Sequence, residues 1–282
     1  MSAASGTLAG AVAEAAPARP APTGLARVLR HPALLGLLLP LAVAALWELA
    51  AAAGWIEARL LPPPSVVARA LGELHASGDL AKHTAATLWR VAAGFALGLA
   101  LATALGALTG FSTRARQLLD PTMQALRAIP SIAWVPLFIL WFGIFEASKV
   151  ALIATGAFFP IYLSLKTGIQ GVDRKLVEVG RVYQLGPLAL VTRILVPAAL
   201  PAWLTGVRGG LGLAWMFVIA AELMGASEGL GYLLIDGQMV GNAAQILGAL
   251  VLFALLGKLS DSLVVLLTRR LVAWQDGFVR TE

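Results

Sequence analysis

Apolar runs recur along the chain at about residues 33–53, 84–110, 122–145, 148–170, 202–224 and 243–268. Each is close to the roughly 20 residues that cross a hydrocarbon core of about 30 Å, so the pattern predicts an all-α polytopic protein with about six transmembrane helices. The first run carries Pro40 and Glu48, and Glu48 sits where it can snorkel or pair near the exit. Gly94-x-x-x-Gly98 and Gly106-x-x-x-Gly110 in the second run fit close helix packing, and equally fit a chain merely rich in Ala and Gly. Pro130 and Pro136 break the third run, and Pro160 interrupts the fourth. Such prolines persist in lipid where neighbours satisfy the freed carbonyls, which makes Pro130 and Pro136 candidates for lining a translocation pathway. Between the first two runs, Pro62-Pro63-Pro64-Ser65 opens a short external helix, Val66 to His75, and a Gly-rich acidic segment, Gly225 to Gly241, separates the last two. Residues 1–32 read as a disordered cytoplasmic tail, 33–270 as the transmembrane domain, and 271–282 as a second cytoplasmic tail.

One stretch is too polar to cross a membrane and too well patterned for a plain loop: Asp173 to Pro201. Asp173 caps a first helix whose apolar positions Leu176, Val179 and Tyr183 recur at helical spacing, and Gly186-Pro187 stops it and starts another. Leu188, Val191 and Leu195 line the second helix, and Pro197 is expected to end it. Neither reaches the roughly 12–15 residues at which an isolated helix is marginal in water, so each needs a surface. A partner protein fits, and so do lipid head groups drawn to Arg174, Lys175, Arg181 and Arg193.

Composition adds constraints. With 282 residues, 59% hydrophobic and 13% charged, the chain is membrane-like, and its lack of Cys removes disulfides and thiolate sites. The net charge of +6 suits cytoplasmic loops and calls for no nucleic acid. With the amino terminus inside, twelve basic residues fall in inner segments against four, Arg59, Arg69, Lys82 and Lys149, in outer ones. Both termini and the 173–197 loop are then cytoplasmic. His31, His75 and His83 lack metal-ligand spacing, no Ser, His and Asp constellation emerges, and the only Gly-Lys pair, Gly257-Lys258, precedes a Leu within an apolar span. The chain is therefore expected to hold no metal, no cofactor and no catalytic residue of its own. Arg208 lies about seven residues into the fifth run, roughly 10 Å deep, among Gly206, Gly209, Gly210 and Gly212. It either snorkels to the surface or faces a pathway as a partner for an anion.

At the 173–197 loop the chain resembles the inner-membrane permease subunits of ABC importers. They carry Glu-Ala-Ala, three residues, Gly, nine residues, then Ile-x-Leu-Pro. That frame falls here on Glu178-Val179-Gly180, Gln184 and Ile194-Leu195-Val196-Pro197, with Gln184 in place of the family Gly and Gly186 two residues later as a substitute bend. LPPPSVVARAL at 61–71, AAELMGASEGLGYLL at 220–234 and GKLSDSL at 257–263 resemble the sulfonate, taurine and nitrate branch, most of all aliphatic sulfonate permeases. The resemblance implies a type I ABC importer permease fold in a bacterial inner membrane, and Glu178, Val179, Gly180, Tyr183, Gln184, Leu185, Gly186, Ile194 and Pro197 as the coupling loop. It also implies a homodimer, two cytoplasmic ABC ATPase subunits that use ATP and magnesium, and a periplasmic binding protein. Nitrate, taurine and a thiamine precursor compete as substrates. An ATP-independent secondary transporter would need mid-membrane carboxylates, and Glu48 and Glu222 lie near the predicted span ends. A passive anchor would have no need of proline-broken spans.

Overall fold

A computed structural model describes residues 32–274, and every regular element among them is helical. The expected amino-terminal tail up to residue 31 and residues 275–282 lie outside the described residues. Helix α1, Pro32–Ala52, belongs to one compact unit that ends at Trp55, and the described residues from Ile56 onward belong to a second.

The second unit begins with α2, Pro64–Ala76, which starts on Pro63 and Pro64 because a proline at the first helical position loses no hydrogen bond. Then follow α3, Asp79–Phe111, α4, Thr113–Ala128, and α5, Val135–Phe142, with a 3-10 turn, Ser131–Trp134, between the last two. Next come α6, Glu146–Gln170, α7, Arg174–Val182, and α8, Pro187–Leu190, which a π turn at Val191–Leu195 joins to α9, Val196–Leu223. The last are α10, Leu230–Met239, and α11, Ala243–Thr268, followed by a 3-10 turn at Arg269–Val272.

Four helical runs among the described residues are long and apolar enough to cross a membrane: Asp79–Phe111, Glu146–Gln170, Leu188–Leu223 and Ala243–Val272. The expected third span, 122–145, is not one helix. Thr113–Ala128 and Ser131–Phe142 meet at a bend of 92°. Ile129 and Pro130 are both extended there, the conformation a residue before proline is pushed into, and Pro136 stands in the first turn of α5 rather than within a kinked helix. The Gly-rich acidic segment at 225–241 contains α10.

Helix α6 is the centre of the second unit, packed on α3 along one side and α9 along the other. Hydrocarbon supplies no hydrophobic drive for such pairing, so the gain comes from dispersion at close range. Gly94, Gly98, Ala102 and Gly106 make a buried stripe down α3 at every fourth residue. Their purpose is packing rather than composition, since a Cβ on Gly98 would stand 2.6 Å from the Ala154 carbonyl oxygen. On the other side, Gly206 and Gly210 of α9 lie against Ser164 and Ile161. Leu152, Ile153, Ala157, Ile161 and Tyr162 of α6, with Val207, Ala214 and Val218 of α9, form the core between these surfaces. Polar ties supplement it: Trp203 Nε1 donates to Thr103 Oγ1 at 3.0 Å, and Tyr162 donates to Asp120 Oδ1 at 3.1 Å.

The packing predicts a sharp contrast between glycines. Gly98→Leu collides with backbone that cannot yield and should cost about 3 kcal/mol, the upper end of ordinary overpacking. Gly212→Leu, where a Cβ meets nothing within 4 Å, should leave the thermal unfolding midpoint of the detergent-solubilised protein no lower.

Candidate functional site

The 173–197 segment is built as the sequence suggests at its start and differently at its end. Asp173 Oδ1 accepts from the Lys175 amide at 2.9 Å, which caps α7. Gly180 is buried, and a Cβ there would come within 2.6 Å of both Leu190 Cδ1 and Ile194 Cδ1, so a side chain at this position would push α7 off the helical run that follows. Leu185 and Ile194 are half-buried around it. The bend lies at Gln184, with φ of 54°, the only non-glycine residue of positive φ among the described residues. Gly186, expected to supply that bend, does not have positive φ, because the chain has already turned two residues earlier. Nor does Pro197 end a helix: it sits in the first turn of α9, and the π turn carries the helical run on from α8. Glu178 is exposed, as is the apolar stripe of Leu176 (47%), Val179 (51%) and Tyr183 (76%). What α7 presents outward is therefore an apolar face with an acidic residue beside it.

Arg208 lies further from the start of its helix than the sequence pattern implied. Because α9 starts at Val196 rather than 202, Arg208 lies twelve residues into the helix, about 18 Å along its axis. It is held sideways: Nε donates to Asp261 Oδ1 at 2.8 Å and Nη2 to Oδ2 at 3.0 Å, a bidentate pair between α9 and α11 that stays half-exposed. Trp215 Nε1, donating to Ser260 Oγ at 2.8 Å, ties the same two helices. Of the four glycines around Arg208, Gly206 and Gly210 pack on α6, while Gly209 and Gly212 share the open side.

Pro130 and Pro136 are exposed and set the direction of a segment whose Trp134, Phe138, Trp141 and Phe142 border an apolar cavity of about 360 Å³ with α3 and α6. No residue of that segment borders the Arg208 cleft, so the structure does not bring these pathway candidates together.

A further cluster went unrecognised in the sequence. At the end of the bundle opposite the 173–197 loop, Arg90 of α3 is 2% exposed and Glu222 of α9 is fully buried. Arg90 grips Glu146 of α6 through Nε at 2.7 Å and Nη2 at 2.8 Å, and Glu222 through Nη1 at 2.9 Å. Glu222 also accepts from Thr87 Oγ1 at 2.8 Å and the Gly231 amide at 2.7 Å. Lys149 donates to Glu146 at 3.1 Å, so two cations balance two carboxylates. The chain before α10 is drawn into the same network: the Leu230 amide donates to Thr87 Oγ1 at 2.8 Å, and the Gly229 amide to His83 Nδ1 at 3.0 Å. Gly229 has φ of 123°, and a Cβ there would stand 2.5 Å from the Glu222 carboxyl carbon. The available signal was an Arg inside an apolar run together with acids at the ends of two others. Only folding shows that they meet.

A family model described as binding-protein-dependent transport system inner membrane component matches residues 94–273. The chain is 43% identical to the putative aliphatic sulfonates transport permease protein of Bacillus subtilis (strain 168), over 88% of its own length and 90% of that protein's. It is 41% identical to the putative aliphatic sulfonates transport permease protein of Escherichia coli (strain K12), over 85% and 91%. In fold it is similar to a chain of the MetNI methionine ABC transporter in an inward-facing conformation, with a TM-score of 0.58 at 20% identity across 66% of this chain and 92% of that one.

The buried cluster yields a test of stability. Arg90→Met leaves Glu222 buried without its cation and should cost about 3–5 kcal/mol. Glu222→Gln keeps a polar group within reach of Thr87 and should cost less; chemical unfolding in detergent ranks the two.

Proposed function

This chain belongs to the family of binding-protein-dependent transport system inner membrane components, the permeases of ABC importers, and from that membership we propose that it is the transmembrane subunit of an importer that brings an aliphatic sulfonate into the bacterial cytoplasm. The observation that carries this reading is the α7 surface. A short helix too small to stand alone is clamped onto the chain through Gly180, and it turns Leu176, Val179 and Tyr183 outward with Glu178 alongside. Such a face suits a groove on a nucleotide-hydrolysing partner.

In this reading the chain works as a homodimer, two cytoplasmic ATPase subunits dock on the 173–197 loops, and a periplasmic binding protein delivers the solute at the opposite end. ATP and magnesium belong to the ATPase subunits, because this sequence has no phosphate-binding Gly-x-x-x-x-Gly-Lys loop. Ion-gradient coupling has little support in the cluster, since the Glu222 carboxylate is fully engaged by Arg90, Thr87 and Gly231. The pathway is assigned to the face of Arg208, whose donors suit an oxyanion, whereas Pro130 and Pro136 act by ending helices beside an apolar cavity. Substrate class follows the Bacillus subtilis and Escherichia coli relatives, and a sulfonate is the anion they name.

Coupling is tested at three positions of the loop. Glu178→Lys reverses the charge on the docking face, and Gln184→Val places a β-branched residue at positive φ, so both should reduce ATP-driven sulfonate uptake to background and weaken copurification of the ATPase at normal permease abundance. Gly186→Val should transport, because a Cβ there meets nothing within 4 Å.

Orientation is tested by labelling single cysteines in this Cys-free chain. Ala76→Cys and Ser227→Cys should react with impermeant thiol reagents from outside intact cells. Arg174→Cys should react only after the membrane is opened, and the reverse pattern would turn the loop away from any cytoplasmic ATPase.

A further inference from the structure

The α9–α11 face that holds Arg208 carries another cation. Lys258 lies fifteen residues after Ala243 and fourteen before Val272, so it is about 21 Å from either end of its span. It is exposed on the chain, and no hydrogen bond or ion pair engages it among the described residues. Asp261, one turn further along α11, is already committed to Arg208 through both oxygens. Against hydrocarbon, an unpaired ammonium at that depth costs about 3 kcal/mol or more, and its stem is far too short to reach either surface.

The neighbourhood is open and polar. Thr205, Gly209 and Gly212 share the exposed side of α9 with Arg208, and a Cβ on Gly209 would meet only Pro160 Cβ, at 3.8 Å. Towards the end of the bundle that bears the 173–197 loop, Thr205, Arg208, Thr268 and Arg269 border a cleft of about 260 Å³ between α9 and α11. Arg208 and Arg269 border that cleft, and Lys258 lies one turn before Asp261 on α11, near enough for its charge to act on that carboxylate, so three cations attend this side of α9 and α11 with a single carboxylate among them.

Building on the importer reading, we propose that this cleft continues along the exposed side of α11 as a water-lined oxyanion track, in which Lys258, a cation with no ion pair of its own, meets the translocated sulfonate. Asp261 has a defined part. It holds the Arg208 guanidinium flat against α11 and cancels one positive charge, leaving a net attraction that passes an anion on instead of trapping it. Conduction requires that balance, with binding strong enough to admit a solute and weak enough to release it. Lys258 is accordingly a specificity-determining residue: it favours small oxyanions over neutral or cationic solutes of the same size.

The test uses the whole transporter in vesicles, with its ATPase subunits and binding protein, and ethanesulfonate as the transported probe. Lys258→Met should lower ATP-driven uptake by roughly tenfold, the worth of one charge-assisted hydrogen bond, and Lys258→Arg should restore most of it. Lys258→Cys supplies a readout independent of uptake, because a thiol ionises and reacts only where water reaches it. It should be modified by the anionic 2-sulfonatoethyl methanethiosulfonate faster than by its trimethylammonium counterpart. Failure of both reagents to react, faster reaction of the cationic one, or parental uptake by Lys258→Met would overturn the track. So would protection of the thiol by anionic phospholipid added to neutral vesicles, which would make the cleft a headgroup site. Absence of ATP-driven uptake by the unsubstituted chain, with the thiol still modified, would instead remove the importer reading.

Discussion

Helices surrounded by lipid lose nothing hydrophobic by staying apart, so whatever binds α3, α6 and α9 must come from contact at short range. The small residues along α3 and α9 permit that contact. Gly98 brings α3 onto the Ala154 carbonyl, and Gly210 brings α9 onto Ile161 from the opposite side of α6. Everything functional hangs from this three-helix core: α7 and α8 bridge α6 to α9 at one end, and α10 and α11 follow α9 at the other. A shift of α6 by a methyl group would move both ends of the molecule.

The buried ionic cluster gives the core its register. A charge removed from water is tolerated only when paired and hydrogen-bonded, so Arg90, Glu146 and Glu222 admit one relative placement of their three helices. Through the Leu230 and Gly229 amides, the same atoms fix how the chain leaves α9 and enters α10. An ion network thus does at one end what Gly180 does at the other, where α7 is held against Leu190 and Ile194. The exposed apolar stripe of α7 and the cationic cleft of α9 and α11 stand on this scaffold, the first suited to a protein partner and the second to an anion in water.

Much of this organisation was legible in the order of residues. Apolar length marked the helices and Asp173 marked the start of α7, because each of these signals acts over a turn or two of chain, while Gly at fourfold spacing in α3 fitted packing and mere composition alike until the contacts decided between them. Proline signals were ambiguous. A proline is equally at home closing one helix or in the first turn of the next, so Pro197 looked like a stop and is part of the start of α9. That difference placed Arg208 twelve residues into its helix instead of about seven. The bend of the 173–197 loop likewise fell on Gln184 rather than Gly186: the interval between Gly180 and its cover of Leu190 and Ile194 sets where the chain must reverse, whatever residue stands there.

The sequence by itself determined a helical membrane protein, the family frame around Glu178 and Pro197, and a chain without its own nucleotide-binding loop. Only the tertiary structure decided which charges are structural and which are free. Arg208 and Asp261 are 53 positions apart and Arg90 and Glu222 are 132 apart, and no periodicity encodes a contact across such separations. Once those pairs form, Arg90 and Glu222 are spent on stability and Arg208 is held at the edge of a cleft. Lys258 remains exposed without an ion pair among the described residues, because both oxygens of Asp261, one turn away, are taken by Arg208.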